Sequence, residues 1–225
     1  MSRTVLVTGA ARGIGAAIAE RLAADGWSVH AVDLPDGDLS TREGNRAVVD
    51  AALERFDGRL DAVVANAGFQ HVAPVRDFPE EQWDKLQALL VTSPFLLAKY
   101  AWDALAASGD GRFLLVSSVH GLIASPFKAG YVAAKHGAVG LVKVLALEGA
   151  DAGISAVALC PAYVRTELVE AQLRDRSEDD LLAPQAVKRL LEPPEVASAA
   201  AWLLGPDGRS YTGAPFVMDN GWLAH

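Results

Sequence analysis

The chain has 225 residues, 51% hydrophobic and 21% charged, with a net charge of −8. That is enough apolar material for one sizeable core, and the single cysteine, Cys160, excludes an intrachain disulfide. The acidic balance argues against a nucleic-acid partner. No run reaches the roughly 18 apolar residues of a membrane span and no long apolar segment opens the chain, so a cytoplasmic protein is expected.

Apolar runs of strand length alternate with segments of helical period. This is the pattern of a single, doubly wound, Rossmann-type α/β domain whose parallel sheet is covered on both faces. A first strand is expected over residues 4–7, then the glycine-rich turn Thr8-Gly9-Ala-Ala-Arg12-Gly13-Ile14-Gly15, then a helix over 14–24 closed by Gly26. Glycines in such a turn let the backbone approach a pyrophosphate, and the helix N-terminus offers free N–H groups, though a plain tight turn uses the same residues. The second strand, residues 28–33, ends on Asp33. A carboxylate there can accept the ribose hydroxyls of NAD and repel the 2′-phosphate of NADP, or it can merely cap a turn. Arg12 is the counterweight, a cation able to pair with a 2′-phosphate. NAD is the expected cofactor.

After Asp33 the chain reaches its next helix near Gly44 almost at once. A crossover to another parallel strand needs about a dozen residues, so the third strand and the helix preceding it are expected to be trimmed, leaving six full strands. The others are expected at residues 60–65, 112–117, 154–160 and 215–218, with helices at 46–56, 80–107, 129–149 and 194–204. Cys160 lies in an apolar run without a basic neighbour and reads as an inert core thiol. The charged run 174–180 reads as solvated, and no metal site is expected.

Tyr131 and Lys135 lie four apart on a predicted helix, so both project from one face. A neighbouring ammonium favours a phenolate and lowers its pKa from about 10. Such a tyrosine can exchange a proton with an alcohol or ketone while a nicotinamide handles the hydride. The pair alone is weak evidence. Ser118 strengthens it, standing at the end of a predicted strand, where α/β sheets place their sites.

The set Thr8-Gly9-x-x-x-Gly13-x-Gly15, Asn66-Ala67-Gly68, Ser118 and Tyr131-x-x-x-Lys135, in this order and spacing, resembles the short-chain dehydrogenase/reductase family almost end to end. The resemblance implies that Tyr131 is the acid/base, that Ser118 orients the carbonyl and that Lys135 also binds the nicotinamide ribose. It further implies that Asn66, with Ala67 and Gly68, supports the adenine-side loop. Pro161, Val164 and Thr166 would meet the nicotinamide. Two positions depart from the family pattern. Leu90 stands where the family carries an asparagine that helps a water connect the lysine to solvent, so a reduced or re-routed proton relay is expected, with hydride chemistry retained. Ala162 replaces a common glycine, a mild change.

The segments Gly68-Phe-Gln70-His71, Ser118-Val-His120-Gly121, Lys128-Ala-Gly-Tyr131 and Leu168-Val-Glu-Ala-Gln172 resemble the bacterial branch of that family that oxidises D-3-hydroxybutyrate. This implies that Gln70, His120, Lys128 and Gln172 hold a substrate carboxylate, whose acceptor sites one ammonium, an imidazole and two amides can satisfy. Each also has a plainer reading: a loop hydrogen bond for Gln70, a packed imidazole for His120, a solvated charge for Lys128 and a surface amide for Gln172. Tyr163 stands where the branch has tryptophan, and the lid, residues 167–191, is shorter. A slightly different 3-hydroxy or 3-oxo acid therefore stays open. So do a general alcohol/ketone or 3-oxoacyl reductase and a non-catalytic NAD-binding sensor. The tail, residues 219–225, resembles tails that cross between subunits of a homotetramer, so Trp222 is expected at a neighbour's site or in an interface.

Overall fold

The computed structural model describes residues 2–174 and 177–224. Six runs rich in aliphatic residues form parallel strands: β1 (Thr4–Thr8), β2 (Ser28–Val32), β3 (Ala62–Ala65), β4 (Gly111–Val116), β5 (Ile154–Pro161) and β6 (Pro215–Met218). Helices cover both faces, so β1, β3, β4 and β5 are buried along their whole length and lack the polar alternation of half-exposed strands. The strand order is β2-β1-β3-β4-β5-β6. It reverses between β1 and β3, the place where such sheets open a ligand crevice.

The helices are α1 (Gly13–Ala24), α2 (Arg42–Arg55), α3 (Glu80–Gln87), α4 (Ser93–Ala107), α5 (Ala129–Gly149), α6 (Glu167–Leu173), α7 (Glu178–Leu182) and α8 (Pro193–Leu204). On one face Ile18 and Leu22 of α1 pack with Val196 and Leu203 of α8; on the other, Val48, Leu97 and Val142 join α2, α4 and α5 to the sheet. The stretch expected as one helix over 80–107 carries a π-helical turn, Ala88–Thr92, between α3 and α4. The trimmed third strand is borne out: β2 is the sheet's outer edge, and a single 3-10 turn, Leu34–Asp36, leads from it toward α2. Helix α5 is long and apolar enough to cross a membrane, but 44% of its apolar window is buried inside the molecule as a core helix.

Candidate active site

The C-terminal ends of the strands open into a cleft of about 1920 Å³. Gly9, Arg12, Gly13 and Ile14 line it beside Asp33, Asn66, Ala67 and Gly68. Gly9 has φ +65°, and a Cβ on Gly15 would stand 2.1 Å from the Gly9 carbonyl oxygen, so the loop and α1 are seated on bare backbone. Asn66 staples this loop to the end of β3, its Nδ2 donating to the carbonyls of Thr8 and Gly9, both at 3.0 Å. Thr8 lies behind the wall, its Oγ1 accepting from the Asn66 N–H at 3.1 Å. No side chain caps the first turn of α1, which leaves its N–H groups to a ligand; the bowl fits a pyrophosphate.

Asp33 caps the turn that follows β2, and its carboxylate stands on the cleft rim. Its Oδ1 accepts the Leu34 N–H at 2.8 Å and caps the 3-10 turn, while Oδ2 accepts the Ala11 N–H at 2.9 Å on the cleft rim. Each oxygen keeps further acceptor capacity for a hydroxyl. Arg12 pairs with Glu167 at the start of α6, at 2.8 Å.

Pro161, Val164 and Thr166 line the cleft with Ser118, Tyr131 and Lys135. Ser118 follows β4 and caps the 3-10 turn Val119–Gly121, its Oγ accepting the His120 N–H at 3.2 Å. Its side chain is close enough to the Tyr131 hydroxyl to favour the phenolate. Lys135, one turn along α5, donates from Nζ to the Val116 carbonyl at 2.8 Å, 5.6 Å from the centre of the Tyr131 ring. The expected lowering of the tyrosine does not occur: burial pushes Tyr131 up to about 12 and Lys135 down to about 8. Desolvation deep in the cleft outweighs the lowering effect of the Ser118 hydroxyl, while the Lys135 ammonium is aimed at a backbone carbonyl and is itself penalised by burial. Cys160 lies close behind, and burial raises its thiol to about 11, in keeping with an inert residue.

Gln70, His120, Lys128, Tyr163 and Gln172 meet Ser118 and Tyr131 around a side cavity of about 50 Å³. Lys128 is 5% exposed, at the N-terminus of α5; its Nζ donates to Gln172 Oε1 at 3.3 Å and lies 5.3 Å from the Tyr163 ring centre. It is thus not a solvated charge, and Gln172 is turned inward to it. Burial, and then the Lys128 charge, push His120 down to about 3, so the imidazole is neutral; its Nε2 lies 2.9 Å from Ser125 Oγ.

Trp222 packs within its own chain, stacked on Tyr163 with ring centres 5.2 Å apart and edge-on to His120 at 5.5 Å. The Asp219 carboxylate accepts the Gly221 and Leu223 N–H groups and turns the chain back. His225, the last residue of that tail, and Asp175 and Arg176 of the charged run lie outside the described residues; the run's other members are exposed. Leu90 is buried in the π turn and packs with Leu86 and Ala134 against Tyr131. Residue reading missed Val72, Lys85 and Phe127, which also line the cleft. Phe127 has φ +67°, uncommon for a bulky side chain, and no sequence signal marks it.

Comparison with known proteins agrees with this geometry. Residues 36–223 match the family described as Enoyl-(Acyl carrier protein) reductase, and residues 3–37 that described as short chain dehydrogenase. The D-beta-hydroxybutyrate dehydrogenase of Cupriavidus necator is 38% identical over 99% of this chain and 98% of its own. That of Rhizobium meliloti is 35% identical over 100% of both chains, and an acetoacetyl-CoA reductase of the same organism is 34% identical over 98% of each. The solved TT0495 protein from Thermus thermophilus superposes with a TM-score of 0.92 at 34% identity, over 100% of both chains. Fold and site define an α/β oxidoreductase that acts on CH–OH groups with a nicotinamide cofactor. The chain belongs to the short-chain dehydrogenase/reductase family.

Proposed function

We propose that this protein catalyses the reversible, NAD-dependent oxidation of a small 3-hydroxy acid, of the 3-hydroxybutyrate kind, to its 3-oxo acid. The observation that carries the reading is the convergence of buried Lys128, Gln172, Gln70 and neutral His120 on a cavity that also contains Ser118 and Tyr131. A carboxylate there meets an ammonium, two amides and an imidazole N–H while the carbon to be oxidised faces the tyrosine. The positive end of the α5 dipole adds to the attraction for an anion.

NAD, held at the α1 bowl and Asp33, would supply the hydride acceptor and a positively charged ring. Ser118 donates a hydrogen bond to the substrate oxygen; Tyr131, once it has given up its own proton, takes the hydroxyl proton on oxidation, and as the phenol it returns one on reduction. Lys135, fixed by the Val116 carbonyl, holds positive charge beside the phenol and would bind the nicotinamide ribose. Three points favour NAD over NADP. Asp33 stands at the ribose end. Asp38 lines the same end, held ionised by hydrogen bonds from Ser40, and none of the cleft-lining residues 33, 34 and 37–40 is basic. Arg12 is engaged by Glu167.

Residues 167–191 act as the substrate lid. Their base is tied by the bridge between Val164 and Leu191, and α6 carries Gln172 to the pocket. The active form is a homotetramer. Two separate apolar faces support this, one at Val144 and Leu147 of α5 and one at Trp202, Tyr211 and Val217 beside β6, because a dihedral tetramer needs two distinct self-complementary contacts.

Lys128→Gln tests the carboxylate clamp. Loss of the charge-assisted contacts lowers kcat/KM for the hydroxy acid by about ten- to a hundredfold, with cofactor affinity unchanged. An intact rate would contradict the clamp and favour a general ketone reductase.

A further inference from the structure

Strand β2 is the outer edge of the sheet, and the adjoining cleft wall, residues 37–40, belongs to no strand. That wall sits directly on α2: a Cβ on Gly44 would stand 2.1 Å from the Asp38 carbonyl oxygen, and one on Gly37 would stand 2.9 Å from Val48 Cγ1. A polar pair sealed in the core fixes its position. Asn45, 0% exposed, donates from Nδ2 to the carbonyls of Leu39 at 2.7 Å and Thr41 at 2.6 Å. Its Oδ1 accepts from Ser93 Oγ at 2.7 Å, and Ser93, 2% exposed, opens α4 straight after the π turn. Both amide protons and the amide oxygen are therefore used, the condition under which a buried polar pair imposes one geometry instead of weakening a core.

We propose that Asn45 and Ser93 are positioning residues for the adenosine half of the dinucleotide, holding residues 38–40 as a cleft wall where an additional sheet strand is lacking. The pyrophosphate bowl at α1 and the ribose acid Asp33 put the adenosine on this side of the cleft. The inference rests on the cofactor reading given above. It links the wall, through one hydrogen-bonded chain, to the helix that follows the π turn beside Tyr131.

The test is calorimetric binding of ADP-ribose and, separately, of reduced nicotinamide mononucleotide to the full chain and to Asn45→Leu and Ser93→Ala. Asn45→Leu weakens ADP-ribose about tenfold and Ser93→Ala about threefold, while nicotinamide mononucleotide binds both as it binds the parent. If Asn45→Leu does not fold, Ser93→Ala, which removes one hydroxyl, decides the matter. Unchanged ADP-ribose affinity in a folded variant overturns the inference. Equal weakening of both halves does so too, since that is the mark of a general structural loss. A parent chain that binds neither ligand overturns the cofactor reading itself, and the inference with it.

Discussion

At Tyr131, Lys135 and His120 one force acts on three chemistries: removal from water raises the phenol to about 12, lowers the ammonium to about 8 and lowers the imidazole to about 3. All three shifts favour the neutral form, so the pocket is poised to receive charge from its ligands. Spacing alone made the Tyr131–Lys135 pair legible, because positions four apart on a helix share a face. It could not reveal the balance of burial against attraction, which depends on depth and on where the Lys135 Nζ points. His120 carries a consequence for stability. Its folded-state pKa lies below the ordinary 6.5, so between pH 3 and 6.5 the unfolded chain binds more protons than the folded one. The contribution is present above pH 6.5 and is lost as the pH falls. About 2 kcal/mol of stability disappears between pH 7 and pH 5 through this group. Urea midpoints measured at both pH values check it: His120→Gln flattens the acid loss by that amount, and an equal loss in the variant would refute the assignment.

At the scale of elements, continuous apolar runs revealed the strands, since a parallel strand buried on both faces has no polar alternation to show. Strand β6 and helix α5 fall where they are expected. The π turn is illegible in Ala88-Leu-Leu-Val-Thr92, because one extra residue in an apolar helical run leaves the hydrophobic pattern nearly unchanged. The lid helices α6 and α7 are too short to carry a clear period. The packing of Trp222 on Tyr163 was illegible because the return of the tail depends on tertiary partners. Asn220, at φ +53°, donates to Gln185 Oε1 at 2.9 Å, a contact no local pattern records. The π turn also sets a functional expectation. With Leu90 packed against Tyr131, the polar route from Lys135 toward solvent lacks a side-chain carrier there. Leu90→Asn raises kcat several-fold and reduces the solvent deuterium isotope effect, at about 1–3 kcal/mol of stability for an amide placed in an apolar cluster. A folded Leu90→Asn enzyme that is no faster would contradict the impaired relay.

For the whole molecule, the missing strand was legible from chain length alone, since the residues after Asp33 cannot make a crossover. Its replacement by the Asn45–Ser93 pair was not, because the two lie 48 positions apart and meet only in the folded core. The proposed tetramer would bury the open apolar faces. Leu147 is 80% exposed on α5, and Leu147→Glu yields a smaller species by light scattering with an unchanged circular dichroism spectrum. A parent protein that is already monomeric would remove the tetramer. The central claim, hydride transfer from a small hydroxy acid to NAD, is tested most directly by following NADH absorbance with D- and with L-3-hydroxybutyrate, first with NAD and then with NADP. The account predicts turnover of one enantiomer and a clear preference for NAD. No turnover of either, by a protein shown to bind NADH, would contradict it.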